Sequence, residues 1–171
     1  MNYQIGQYVM YRSQGICKIE AIQDLDFLPG AKRRYYILRS PFAKTGEKIY
    51  VPVTMPECMR GTITKGQAQQ YLAKLEQLQA APYCSNKTHM LTAHYQELLS
   101  AAGMEPHLQL FKELCQKENL LQAKGRKLPE TDKHYKSRVE QQLSEEFAVA
   151  LDETLDAVKQ KLYAAVRPLA G

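Results

Sequence analysis

The sequence predicts an α+β protein: a small N-terminal antiparallel β-barrel followed by an all-α compact helical domain. Short runs rich in β-branched and aromatic residues fill most of residues 1–62, with turn signals between them and no helical pattern. From Thr64 onward, apolar residues recur at helical spacing instead. This change of period predicts two domains, residues 1–62 and residues 63–171.

The clearest β signal is a pair of strands within residues 33–53, joined by a polar loop. In the second strand, Tyr50 and Pro52 share one face. Pro52 has no N–H with which to continue a ladder of hydrogen bonds, so this strand is predicted to lie at a sheet edge or to end its pairing there. An edge strand that carries Lys48 and Tyr50 can pair with a strand of another protein, which is the first functional indication in the chain.

Two more strands are predicted before this pair, over residues 6–11 and 16–22, and the imperfect alternation of the second indicates a bulge. Thr64 and Gln67 form a capping-box pattern, so a first helix is predicted to begin after Thr64. The remaining helices are predicted over residues 87–102, from 106 to 123–125, from 128 to 151, and after Asp152, which is expected to cap the last one.

Length and composition are those of an ordinary soluble protein. The chain has 171 residues, of which 44% are hydrophobic and 24% charged, enough for one domain or two small ones. It contains no run of about 18 apolar residues and no signal-like N-terminus, so we expect a cytoplasmic protein without membrane partners. The four cysteines are far apart and predict buried or half-buried free thiols, with neither a disulfide framework nor a zinc knuckle.

The net charge of +5 divides unevenly along the chain. Residues 1–70 hold ten Lys and Arg against five Asp and Glu, whereas residues 71–171 hold thirteen of each. Within the second part, an acidic stretch over residues 139–158 follows a cluster of cations. These cations are Lys124, Arg126, Lys127, Lys133, Lys136 and Arg138. Such a basic end can face a phosphate backbone, and it can equally be an ordinary solvated surface.

No pattern in the sequence indicates catalysis or a bound cofactor. The four histidines match no zinc-binding spacing, and there is no Gly-rich phosphate loop or nucleophile elbow. We therefore expect neither an enzyme with a small-molecule substrate nor a metal site. Two function classes are left, a nucleic-acid-associated regulator and a pure protein–protein adaptor.

Several short motifs follow one another along the chain. They are, in chain order, Ile5-Gly6-Gln7-Tyr8-Val9-Met10-Tyr11, Gln14-Gly15-Ile16, Tyr35-Tyr36-Ile37-Leu38, Tyr50-Val51-Pro52-Val53, Gly125-Arg126-Lys127-Leu128-Pro129 and Leu143-Ser144-Glu145-Glu146-Phe147-Ala148-Val149-Ala150. Their order resembles that of the CarD-like bacterial transcription regulators, whose barrel also occurs within the much longer transcription–repair coupling factors. The motifs span nearly the whole chain, although Gln7, Arg12 and Gln14 replace the usual Asp, Pro and His of the family. With 171 residues, the chain is expected to be a short stand-alone member.

The resemblance implies a Tudor-like barrel that binds the RNA polymerase β subunit and a helical domain that contacts promoter DNA at the upstream edge of the melted bubble. Such a transcription regulator modulates the stability of the open complex without recognising a specific sequence. The residues expected to bind the polymerase are Leu25, Phe27, Lys48, Tyr50 and Pro52. The residues expected to contact DNA are Lys87, Lys124, Arg126, Lys127, Lys133, Lys136 and Arg138.

Two further expectations concern the helical domain. Some family members insert a Trp into the minor groove at the start of this domain, and this chain contains no Trp. Either Tyr83, Lys87 or His89, which lie in the matching neighbourhood, takes that role, or the wedge is absent. The alternative function is a polymerase-bound protein–protein adaptor without direct DNA contact. Its second partner would bind an acidic face formed by Glu145, Glu146, Asp152 and Glu153.

Overall fold

The computed structural model describes residues 3–11, 14–27, 29–43, 46–55, 58–101 and 103–166. By its internal packing the chain divides into two compact units, residues 1–63 and residues 64–171. We call them the sheet unit and the helical unit. No helix among the described residues is both long and apolar enough to cross a membrane.

The described residues of the sheet unit form five antiparallel strands. They are β1 (Tyr8–Tyr11), β2 (Gly15–Leu25), β3 (Arg33–Arg39), β4 (Lys48–Pro52) and β5 (Met59–Gly61). Their spatial order is β4-β3-β2-β1-β5. In the part of the chain that the structure describes, β4 and β5 do not pair with each other, so the predicted barrel is an open sheet with two edges.

Strand alternation explains the core of the sheet unit. Tyr36 and Leu38 of β3 point to one face, where they are buried together with Val51 of β4 and Ile19 of β2. The register between β2 and β3 shifts between Ile19 and Ala21, which confirms the predicted bulge. The side chains of β3 and β4 that alternate with these buried ones therefore lie on the opposite face of the sheet.

In the helical unit, the part of the chain that the structure describes forms five helices packed against one another. They are α1 (Lys65–Gln77), α2 (Thr88–Ser100), α3 (Glu105–Ala123), α4 (Glu130–Leu151) and α5 (Leu155–Val166). Phe111 of α3, Phe147 of α4 and Leu162 of α5 are fully buried. A sheet unit followed by a helical unit confirms the predicted α+β class.

The helix ends confirm one predicted cap and correct another. Thr64 Oγ1 accepts a hydrogen bond from the Gln67 N–H at 3.1 Å, and the Gln67 side chain accepts one from the Thr64 N–H at 2.9 Å, so the predicted capping box is present. Asp152 does not cap α5. It ends α4 with a left-handed φ of 55°, and Thr154 accepts the hydrogen bond from the Ala157 N–H at 3.2 Å. Asp tolerates the left-handed region better than most residues, which suits it to this C-terminal position.

Candidate functional site

The first candidate surface is the free edge of the sheet at β4. Because β4 has a hydrogen-bonded neighbour only in β3 among the described strands, the prediction of an edge strand is confirmed. Tyr50 lies opposite Ile37 in the ladder, and Pro52 lies opposite Tyr35 at its end. The Tyr50 side chain is 43% exposed, and Lys48 is exposed at the start of the strand. An open backbone edge thus lies beside an exposed aromatic ring.

Three aromatic rings lie together at this edge, with one of them in contact with the other two. Phe27, in the loop after β2, makes edge-to-face contacts with Tyr35 and Tyr50, with ring centroids 5.1 and 5.2 Å apart. Phe27 is itself 56% exposed. We call Phe27, Tyr35 and Tyr50 the aromatic cluster. The structure therefore brings together Phe27 and Tyr50, which the sequence nominated from separate segments.

Two of the predicted polymerase-binding residues, Leu25 and Lys48, lie outside the aromatic cluster, and one member of the cluster, Tyr35, was not predicted. Leu25 is half-buried at the end of β2, where it pairs with Arg33. Lys48 lies two residues before Tyr50 on the same face of β4 and pairs with Arg39. Tyr35 was not nominated, although the alternation of β3 was sufficient to place it on the face that Tyr50 and Pro52 share.

The second candidate surface is the loop between α3 and α4, residues 124–129, which we call the basic loop. Lys124, Arg126 and Lys127 are exposed there, and none of the three forms an ion pair with another described residue. The loop begins with a Schellman motif: the Gly125 N–H donates to Gln122 O at 2.9 Å and the Arg126 N–H to Leu121 O at 2.8 Å. Gly125 has a φ of 71°, which this motif requires and which glycine adopts without strain.

Four other cations predicted to contact DNA lie outside this loop: Lys87, Lys133, Lys136 and Arg138. Lys133 is exposed on the first turn of α4, with Glu130 at 3.6 Å. Arg138 is half-buried on the same helix, and Lys87 is exposed immediately before α2. Of these, Lys133 is the one that the structure places within the first turn after the basic loop, so it extends the exposed positive charge.

The structure corrects one of the predicted DNA contacts, Lys136. Its side chain is only 12% exposed, because Nζ is 3.0 Å from Glu118 Oε1 on α3 and 5.1 Å from the centre of the Tyr163 ring on α5. Burial alone would lower the pKa of Lys136, but hydrogen bonding to Glu118 and Tyr163 raises this pKa overall. The ammonium group therefore forms an internal ion pair and is not available to a phosphate.

The predicted acidic face is also corrected. Glu145 and Glu146 are buried within α4, with 5% and 1% of their surface exposed. Gln141 donates a hydrogen bond to Glu145 at 2.6 Å, and burial raises the pKa of that carboxyl. Glu153 is paired with Lys161 at 2.6 Å. Of the four carboxylates, Asp152 alone is both exposed and without an ion pair to a described residue, so these four do not form the predicted acidic face.

Of the three residues near the position of the family's wedge Trp, one packs against another ring of the helical unit and two are exposed. Tyr83 stacks on the ring of His94, with centroids 4.3 Å apart, and His94 Nε2 lies 2.9 Å from Glu113 Oε2. Lys87 and His89, by contrast, are exposed. Among the described residues, no group of three or more His, Cys, Asp or Glu side chains could hold a metal ion.

The cysteines show one departure from the expected burial. Cys17 and Cys115 are buried and Cys58 is half-buried, whereas Cys84 is exposed in the loop before α2. None of the four forms a disulfide bond. Burial raises the pKa of Cys115 to about 12, so this thiol is unreactive at neutral pH.

Comparison with known proteins bears on the sheet unit. A family model described as the CarD-like/TRCF RID domain matches residues 3–63, which include β1 to β5 and the aromatic cluster. No curated protein matches the chain at significant similarity. The match confirms the resemblance over the N-terminal motifs and makes this part of the chain a protein-interaction domain. The sheet unit of this chain therefore belongs to the CarD-like/TRCF RID domain family, a family of RNA polymerase-interacting domains found in transcription-related proteins.

Proposed function

We propose that this protein regulates transcription by binding the RNA polymerase β subunit through β4 and the aromatic cluster while its basic loop contacts promoter DNA. The DNA contact is independent of sequence, and its effect is to modulate the stability of the open complex. The observation that carries the proposal is the free β4 edge beside the three rings of the aromatic cluster, inside a domain of the polymerase-interacting family.

The β4 edge is suited to strand addition. An unpaired edge offers N–H and C=O groups to an incoming strand, and side chains beside it supply specificity. Tyr50 and Phe27 are large, exposed and in contact with each other, so they offer apolar area that loses little conformational freedom on binding. Aromatic residues of this kind commonly carry much of the binding energy at protein interfaces.

The basic loop is suited to phosphate contact. Lys124, Arg126 and Lys127 are exposed on a backbone held by the Schellman motif, and Lys133 follows on the first turn of α4. Cations that contact phosphates fix the position of a protein on DNA and carry no direct information about the bases. Four such residues give weak binding on their own, which matches a protein that needs the polymerase to hold it at the promoter.

The adaptor function has less support in this structure. It depended on an acidic face, and two of the four carboxylates that would form it are buried. The three cations of the basic loop are accessible, because they are exposed and form no ion pair with another described residue. We therefore propose DNA as the second partner.

The polymerase contact is tested with the variant Tyr50→Ala in the full chain. Removing an exposed aromatic anchor from an interface costs about 2 kcal/mol, which is roughly a 30-fold loss of affinity. We expect that loss in binding to the purified β subunit, with the thermal melt of the free protein almost unchanged.

The matched control is Ile5→Ala, which removes an apolar side chain that is 63% exposed in the same unit but lies outside the five strands. It should bind the β subunit as the wild type does. If Tyr50→Ala also binds normally, the β4 edge is not the polymerase contact.

A further inference from the structure

The first turn of α4 has no local cap. Its N-cap residue is Pro129, which makes no side-chain hydrogen bond to the helix. Asp132 occupies the third helical position, where an acidic side chain ordinarily returns to the N–H of the N-cap residue. Proline has no N–H, so that hydrogen bond cannot form here. The carboxylate of Asp132 is therefore free to be used elsewhere.

Asp132 uses its carboxylate to join three helices. The residue is fully buried, and its Oδ1 atom accepts hydrogen bonds from the Tyr95 hydroxyl of α2 and, at 2.9 Å, from Lys117 Nζ of α3. Burial and the hydrogen bond to Asp132 raise the pKa of Tyr95, so its hydroxyl is a permanent donor at neutral pH. We call Tyr95, Lys117 and Asp132 the tether cluster.

The tether cluster lies at one end of the basic loop, and the Schellman motif lies at the other. The motif fixes residues 124–126 against the last turn of α3. Leu128, between the two, is buried with 3% of its surface exposed. The loop is therefore anchored at its start, at Leu128 and just after its end. Lys124 and Arg126 lie within the Schellman motif, and Lys127 lies between the motif and Leu128.

We propose that Asp132 is a positioning residue that holds the basic loop in the geometry in which it contacts DNA. This inference rests on the proposed DNA contact and adds to it a residue that touches no DNA. A loop that is already ordered loses less conformational freedom on binding, so its cations bind phosphates more tightly than the same cations on a loose loop. Releasing the first turn of α4 removes that advantage.

The decisive variant is Asp132→Asn, because positioning and simple electrostatics predict opposite results. Removing a carboxylate makes the protein more positive, which by charge alone strengthens DNA binding. Loss of positioning weakens it, by about tenfold if two or three cations become mobile. The measurement is fluorescence anisotropy of the full chain with a fork-shaped promoter DNA, together with hydrogen exchange of the amides in the basic loop.

Two further variants separate positioning from general loss of stability. Tyr95→Phe removes one donor to Asp132 but keeps the packed ring, so it should weaken DNA binding severalfold even if Asp132→Asn does not fold. Val139→Ala destabilises the same helix from a fully buried position outside the tether cluster, and it should leave the DNA affinity and the exchange of the loop unchanged.

Each outcome decides the inference. Weaker DNA binding with faster exchange in the basic loop, for Asp132→Asn or Tyr95→Phe but not for Val139→Ala, supports it. Unchanged or stronger DNA binding by both tether variants overturns it, as does unchanged exchange in the loop. If the wild-type chain binds no DNA at all, the proposed DNA contact fails, and the exchange measurement alone decides whether Asp132 positions the loop.

Discussion

At the scale of single residues, two lysines one turn apart on α4 have different environments. Lys133 and Lys136 are separated by three positions, which leaves their side chains about 60° apart around the helix axis. That angle takes Lys133 to solvent, with 48% of its side chain exposed, and takes Lys136 into the space between α3 and α5. Helical spacing alone predicts the same role for both residues, and only their contacts with neighbouring residues show that their environments differ.

This difference predicts different stability effects. We expect Lys136→Ala to lower the free energy of unfolding by about 2–3 kcal/mol, because it leaves the partly buried Glu118 carboxylate without its cation. Lys133→Ala is the matched control and should change stability by less than about 0.5 kcal/mol, since its ion pair with Glu130 is solvent-exposed. Urea unfolding of the full chain measures both values. Equal small effects would place Lys136 on the surface after all.

At the scale of elements, local patterns predicted the boundaries well and the burial of charge poorly. The capping box at Thr64, the bulge after Ile19 and the edge position of β4 all follow from short-range rules about backbone geometry. The burial of Glu145 and Lys136 does not, because it depends on partners contributed by other turns and helices. Asp132 was missed for the same reason, whereas Tyr35 was missed although the alternation of β3 was sufficient to place it.

One element boundary offers a direct energetic test. Thr64→Ala removes the side-chain oxygen that accepts from the Gln67 N–H, and it should destabilise the helical unit by about 1 kcal/mol. Thr88→Ala is the control, because Thr88 is exposed at the start of α2, a helix with no side-chain cap, and should have little effect. Thermal unfolding followed by circular dichroism at 222 nm compares the two. An equal response would mean that the capping box contributes nothing to stability.

At the scale of the whole molecule, the proposed function combines two weak sites in one chain. The sheet unit offers one interaction edge, and the helical unit offers a loop with three exposed cations. When one site is occupied, the other is held at a high effective concentration, which can raise the overall affinity by about 10² to 10⁴-fold if both contacts form at once. Promoter binding should therefore depend on the polymerase far more than on the DNA sequence.

The double variant Arg126→Glu with Lys127→Glu tests this combination. Both residues are exposed and unpaired among the described residues, so charge reversal should spare the fold. If Lys124, Arg126, Lys127 and Lys133 each neutralise one phosphate, the log–log salt dependence of wild-type DNA binding should have a slope of ~−3 to −4. The variant should lower the magnitude of this slope by about 2.

In a purified transcription system, the same variant should bind the β subunit normally but fail to change the lifetime of the open complex on an unstable promoter. Lys65→Glu, a charge reversal at an exposed lysine outside the basic loop, should behave as the wild type. A double variant that still alters the lifetime would show that the basic loop is not the DNA contact. A wild-type protein that binds the polymerase yet leaves the lifetime unchanged would favour the adaptor function, because the polymerase contact alone would then account for its binding.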